Sequence, residues 1–218
     1  MLARDNPFRA ERVLTVRYRL RGATWEELLA RLEGLKYRAA IVGPEGSGKT
    51  TLLEDLAPRV RERGFGTRFG RLDDTTPYWR RWLLLLEYRG WNAKTILMFD
   101  GAELAPSPAW RWFRARAQRR AAGLLITSHR PGLLPTLMEC GTTPELLQEI
   151  VEQLLPGESS ALAPELSNLF SRHQGNLRMA LRDLYDEYAA KLQAYLVQSH
   201  LPALHLLFTR SWDIIKHL

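Results

Sequence analysis

The chain holds one cysteine, Cys140, among its 218 residues. That excludes an intramolecular disulfide and fits a reducing, cytoplasmic setting. No apolar run approaches the roughly 18–20 residues of a membrane-spanning helix, so no membrane association is expected. The opening stretch, Met1-Leu2-Ala3-Arg4-Asp5-Asn6-Pro7, lacks the apolar core of a signal peptide. No Cys/His cluster has metal-ligand spacing, and there is no internal repeat or low-complexity tract. Acidic residues are in the minority: 24 against 31 Lys and Arg, a net charge of +7 with a pI near 9.8. A basic excess permits a nucleic acid or an acidic protein as partner. Most of it is arginine, which genome composition explains equally well. The length suits one α/β domain with a small attachment, or two small domains.

Against this background one stretch stands out. Gly43-Pro44-Glu45-Gly46-Ser47-Gly48-Lys49-Thr50 fits G-x-x-x-x-G-K-[ST], the phosphate-binding loop. Arg38-Ala39-Ala40-Ile41-Val42 before it reads as a buried strand, and Thr51-Leu52-Leu53-Glu54-Asp55-Leu56 after it as the first turns of a helix. A glycine-rich turn of this kind lets backbone N–H groups cradle phosphate oxygens at a positive helix N-terminus. Lys49 is expected to reach the β- and γ-phosphates of ATP, and the Thr50 hydroxyl to bind Mg²⁺. Residues Gly43 to Thr51 are the candidate nucleotide-binding set: Gly43, Pro44, Glu45, Gly46, Ser47, Gly48, Lys49, Thr50 and Thr51.

A second signal is Thr95-Ile96-Leu97-Met98-Phe99-Asp100-Gly101-Ala102-Glu103-Leu104. A carboxylate at the tip of a buried apolar strand needs a partner. Here the partner would be the Mg²⁺ shell, making Thr50 and Asp100 the candidate metal residues and this segment a Walker B strand. Glu103 is the candidate base that polarises the attacking water. Gly123-Leu124-Leu125-Ile126-Thr127-Ser128-His129-Arg130-Pro131 reads as a third buried strand with a polar end. Thr127 or Ser128 is placed to hold the attacking water. Arg130 is a candidate phosphate sensor or finger, and His129 a surface loop residue.

The remaining chain supplies the frame. Val13 to Leu20 alternates partly and is expected to form an edge strand. Thr24-Trp25-Glu26-Glu27 is a capping box opening a helix to about Gly34. Gly64 to Leu72 reads as a strand ending in Asp73-Asp74, carboxylates that sit either at the ligand end of the sheet or as the cap of a helix over Tyr78 to Tyr88. The Trp79, Trp82 and Leu83–Leu86 cluster of that helix is expected in the core or an interface. A helix from Ser107 to about Ala122 carries Arg111, Arg114, Arg116, Arg119 and Arg120, and Leu137–Cys140 is a short fifth strand. Asn6-Pro7-Phe8 lies either near an adenine or in simple packing. From Thr143 the character turns helical: Pro144 at the first helical position, then helices over about 164–173 and 177–198, and a last one after Pro202.

Together these segments resemble AAA+ and STAND-type P-loop ATPases over residues 38 to about 190. Gly175-Asn176-Leu177-Arg178 is similar to the sensor-2 element of origin-recognition and TniB-like transposition ATPases, and the resemblance implies that Arg178 contacts the γ-phosphate. The segments Asp100–Leu104 and Thr127–Pro131 look more like NACHT-type STAND proteins. No separate arginine finger is evident between Arg130 and Arg178, and no winged-helix module is expected. The implied fold is a three-layer α/β P-loop NTPase sandwich with a parallel five-stranded sheet in the order 5-1-4-3-2 over residues 1–142, followed by an all-helical lid over 143–218. The implied activity is Mg²⁺-dependent ATP hydrolysis that switches or remodels a protein partner, with turnover weak or partner-stimulated and a homo-oligomer permitted. A nucleotide or small-molecule kinase, and a nucleotide-dependent binding module with little hydrolysis, are the alternatives.

Overall fold

The computed structural model describes residues 6–88 and 91–198; the expected helix after Pro202 lies outside them. The chain divides into two compact units, Arg17–Thr143 and a helical unit formed by Met1–Val16 with Pro144–Leu218.

In the first unit, β1 (Arg38–Val42), β2 (Gly66–Arg71), β3 (Thr95–Asp100), β4 (Gly123–Ser128) and β5 (Thr136–Glu139) form one sheet in the order β2-β3-β4-β1-β5. Every pairing is parallel. Read from the other edge, this is the expected 5-1-4-3-2 order. Successive side chains of a strand leave opposite faces, and the core divides accordingly. Ala39, Ile41, Ile96, Met98 and Leu125 pack with Leu28, Leu29 and Leu32 of α2 (Trp25–Gly34) and Leu52, Leu53, Leu56 and Val60 of α3 (Lys49–Glu62). Ala40, Val42, Leu97, Phe99, Leu124 and Ile126 pack with Leu85 of α4 (Tyr78–Glu87) and Trp110, Phe113 and Ala117 of α5 (Ser107–Arg120). The three central strands are covered on both faces, which is why they read as near-continuous apolar runs. The result is a three-layer α/β P-loop NTPase sandwich.

Local chemistry sets several boundaries. The Glu27 amide donates to Thr24 Oγ1 at 3.2 Å and the Thr24 amide to Glu27 Oε2 at 2.7 Å, completing the capping box of α2. Asp73 departs from its expectation as a helix cap, because Pro77 holds the N-cap position of α4. The Asp73 carboxylate instead closes its own turn, accepting from the Thr75 hydroxyl and from the amide and hydroxyl of Thr76. These bonds hold its pKa below the usual carboxylate range. On α4, Tyr78, Trp79, Leu83 and Leu86 are exposed while Leu85 is buried.

The expected edge strand over Val13–Leu20 does not form. A short helix, α1 (Ala10–Val13), occupies its start, and Val13 and Val16 pack against the core of the helical unit. Beyond them, in the α/β unit, Arg17 Nη1 and the Tyr18 amide donate to the two oxygens of Asp55 at 2.9 and 2.8 Å. The Asp55 carboxylate, buried on α3, takes the hydrogen bond that a neighbouring strand would have offered.

The helical unit comprises α6 (Pro144–Leu154), α7 (Ala163–Arg172) and α8 (Leu177–Gln198) with α1. Leu147, Val151, Leu166, Leu169, Ala180 and Leu184 form its core together with Phe8, whose ring meets Tyr188 edge-on at 6.1 Å. Asn6 ties the same segment down through Nδ2 to the Tyr185 carbonyl at 3.0 Å. The N-terminal residues thus belong with the helices and not with the sheet, because their apolar side chains complete the helical core.

Replacing Asp55 with Ala leaves the Tyr18 amide without its acceptor. We expect a loss of about 1–3 kcal/mol of stability, read as a lowered midpoint in urea unfolding; an unchanged midpoint would show that residues 17–18 are not anchored this way.

Candidate nucleotide-binding site

Strand β1 runs into the Gly43–Thr50 loop, and the loop runs into α3 at Lys49. Two of its glycines serve backbone needs that other residues resist. Gly48 is the N-cap of α3 at φ 80°, in the left-handed region. Gly43 lies so close to β5 that an added Cβ would stand 2.3 Å from the Cys140 carbonyl oxygen. The loop's polar groups bond inward. Lys49 is 8% exposed, and its ammonium donates to the carbonyls of Gly43 at 2.9 Å and Pro44 at 2.7 Å. The Ser47 hydroxyl donates to the same Pro44 carbonyl at 2.8 Å. Burial pushes the Lys49 pKa down, with Glu103, Cys140, Asp100 and Glu45 acting in the opposite sense. Pro44 and Glu45 are exposed at the tip of the loop, and Thr51 is half-buried in the first turn of α3.

The ends of three elements converge on Asp100, the last residue of β3. Thr50 Oγ1 at the start of α3 donates to its carboxylate at 3.0 and 3.2 Å. Thr127 Oγ1 at the end of β4 donates to Oδ1 at 2.5 Å and accepts from the Gly101 amide at 2.9 Å. Arg71, the last residue of β2, donates to Oδ2 through Nε and Nη2, each at 2.8 Å. Gly101 turns the chain away at φ 76°, and a Cβ there would meet the Leu72 carbonyl at 2.3 Å. Glu103 sits in the 3₁₀ turn Ala102–Leu104 that follows. Its Oε1 lies 3.3 Å from His129 Nδ1, while Oε2 is buried without a hydrogen-bond partner.

The fold therefore gathers Lys49, Thr50, Asp100 and Thr127 at the carboxyl ends of the strands, with Glu103 close enough for its charge to act on Lys49. Ser128 is turned to its own loop, its hydroxyl donating to the Arg130 carbonyl at 2.8 Å, and Arg130 is exposed. Arg178 lies in the other unit, exposed in the first turn of α8. Asn176 caps that helix through Oδ1, which accepts from the Met179 amide at 3.2 Å. Asp183 is engaged by His173 at 2.7 Å and Arg172 at 3.7 Å. Sequence reasoning missed Arg71 and the Glu103–His129 contact. The only signal for either was a polar residue at the end of a strand, which says nothing about its neighbour.

A hydroxyl and a carboxylate brought together beside a buried lysine match what a hard oxygen-ligated cation needs from a protein when phosphates and water complete its shell. Among the described residues no cluster of three or more His, Cys, Asp or Glu competes with this pair for a metal.

These features define an α/β P-loop NTPase fold. No family model and no curated protein matches the chain. Among solved structures it is similar to a point mutant of Thermotoga maritima RuvB, at 19% identity and a TM-score of 0.46. The match covers 73% of this chain and 59% of that one, so the chain spans about three fifths of that structure's length. Among the described residues, no helix is long and apolar enough to cross a membrane.

Cys140 at the end of β5 gives a probe of this region. It is 2% exposed, Tyr18 Oη lies 3.3 Å from its sulfur, and burial pushes its thiol pKa up. The thiolate is the reactive form. We expect the native protein to react with a disulfide reagent at pH 8 at least about tenfold more slowly than the unfolded chain. Equal rates would mean that β5 does not close over the loop.

Proposed function

We propose that the chain binds Mg²⁺-ATP at Gly43–Thr50 and hydrolyses it, and that the change of nucleotide state switches or remodels a protein partner. The observation that carries the reading is the convergence of Thr50 and Asp100 beside a phosphate-binding loop whose lysine is buried and aimed inward. The basic charge leaves a nucleic acid within the partner's assembly open.

The residues divide the work as follows. Loop amides from Glu45 to Thr51 hold the phosphates at the N-terminus of α3. Lys49 exchanges its two carbonyl partners for phosphate oxygens and offsets the charge that develops on them. Mg²⁺, held through Thr50 and Asp100, would neutralise charge on the β- and γ-phosphates. Thr127 keeps the Asp100 carboxylate in position through Oδ1. Glu103, with one oxygen on His129 and one free, orients the attacking water and accepts its proton. Arg130 and Arg178 read the γ-phosphate; for Arg178 this rests on the resemblance of Gly175–Arg178 to the sensor-2 element. The nucleotide-dependent binding module with little hydrolysis gains support from one feature, the complete engagement of Asp100 by side chains of the protein itself.

Removing the Lys49 side chain separates this reading from a glycine-rich turn of no consequence. Lys49→Ala should lose ATP binding in calorimetric titration while keeping its unfolding transition; unchanged affinity in the folded variant sinks the assignment. Glu103→Gln should bind Mg²⁺-ATP as the parent does but turn it over roughly 10²-fold more slowly. Wild-type turnover in that variant would remove Glu103 from the chemistry.

Arg178→Ala tests the helical unit. Its affinity for ATP should fall while that for ADP stays within about twofold, since ADP lacks the group being read and a bidentate guanidinium–phosphate contact is lost. Equal small effects on both nucleotides would leave Arg178 a surface residue.

A further inference from the structure

We propose that Arg71 is a built-in counter-ion for Asp100 that competes with the metal and so sets how much Mg²⁺ the site demands; the proposal rests on the Mg²⁺-nucleotide reading above. Three observations carry it. First, Arg71 and Asp100 are register partners on adjacent parallel strands, so their side chains leave the same face of the sheet. The pairing is therefore built into the β2–β3 ladder. Second, both guanidinium contacts fall on Oδ2, the oxygen that also receives the Thr50 hydroxyl at 3.0 Å. Arg71 thus engages one member of the hydroxyl–carboxylate pair that would serve the metal. Third, the two partners differ in exposure: the Asp100 side chain is 16% exposed and that of Arg71 55%. A largely desolvated carboxylate needs a cation at all times, whereas a guanidinium on the rim can swing into water without leaving a cavity.

Arginine stays charged at every working pH, so a dication arriving at Oδ2 meets a like charge already in place. Either the metal shares the carboxylate against that repulsion or Arg71 lets go. In the first case the repulsion between the two cations, and in the second the free energy of the Arg71–Asp100 pair, is subtracted from that of metal binding. In the metal-free state the same pair keeps Asp100 compensated and oriented towards Thr50 and Thr127. Nucleotide binding without metal does not touch this term.

The test uses the full chain and a fluorescent N-methylanthraniloyl-ADP as probe, with free Mg²⁺ titrated and a parallel series in chelator. For Arg71→Gln the half-saturating Mg²⁺ concentration should fall about two- to fivefold, the range of a half-exposed ion pair, with affinity in chelator unchanged. Arg71→Lys, which keeps the charge, should stay within about twofold of the parent. An unshifted Mg²⁺ midpoint in Arg71→Gln overturns the proposal. So does weaker binding with and without metal, which would make Arg71 a phosphate ligand, and so does an Arg71→Lys shift as large as that of Arg71→Gln. A parent chain that binds no probe under either condition overturns the nucleotide reading itself, and Arg71's role with it.

Discussion

The buried end of β3 poses the problem that the rest of the α/β unit answers. Five apolar or buried residues, Thr95 to Phe99, drive the strand into the middle of the sheet, and Asp100 follows with a carboxylate that has little access to water. An isolated charge there would cost several kcal/mol. The fold meets it with one donor from each surrounding element: Thr50 from α3, Thr127 from β4 and Arg71 from β2. Since β4 lies between β1 and β3, the carboxylate has to reach across the end of β4 to meet Thr50. Thr127, a short hydroxyl at that point, is what lets it do so.

The phosphate-binding loop is held from the opposite side by β5 and the segment around Tyr18. Gly43 lies against the Cys140 carbonyl, and Gly48 faces the Tyr18 ring. Tyr18 in turn is fixed by its amide on Asp55 and by its hydroxyl beside Cys140. Burial and the neighbouring Cys140 push the Tyr18 phenol well above its ordinary pKa, so it remains a neutral donor. The loop is thus clamped through van der Waals contact at its glycines and through one carboxylate buried on α3. Its own carbonyls are left free to face Lys49.

Much of this was legible because it is local. The loop motif, the capping box at Thr24–Glu27 and the buried runs Ile96–Phe99 and Leu124–Ile126 each declare themselves within a few residues. Strand order was legible only through family resemblance, since periodicity says that a strand is buried and not which strand lies beside it. Arg71 and Asp100 are 29 residues apart, and their meeting depends on the β2–β3 register, which no short-range pattern encodes. The failure at Val13–Leu20 has the same root. Partial alternation there suits a strand, but Asp55 offered Tyr18 a side-chain acceptor and the helical core took Val13 and Val16. Of the two roles open to Asp73, the helix cap fails because the Thr75 and Thr76 hydroxyls, two and three residues on, capture its carboxylate first.

The internal bonding of the site bears on how strongly it binds. Lys49 already makes two hydrogen bonds to loop carbonyls, Ser47 makes one, and Asp100 is met on both oxygens. On the proposed reading, a phosphate at Lys49 or a metal at Asp100 would replace or share these bonds, so what would count towards affinity there is the difference between two sets of charge-assisted bonds. The exchange favours a polyanion for Lys49, because a neutral carbonyl pair is a weaker partner for a buried ammonium than a charged oxygen. It is closer to even at Asp100, where one cation, Arg71, is replaced by or crowded against another. On the proposed reading, nucleotide recognition would fall chiefly to the loop and its lysine, and metal dependence would be decided at the carboxylate. Arg71 reaches Asp100 from β2, whereas the phosphate-binding loop joins β1 to α3 on the far side of β4, so a change at Arg71 would act on the carboxylate without touching the loop.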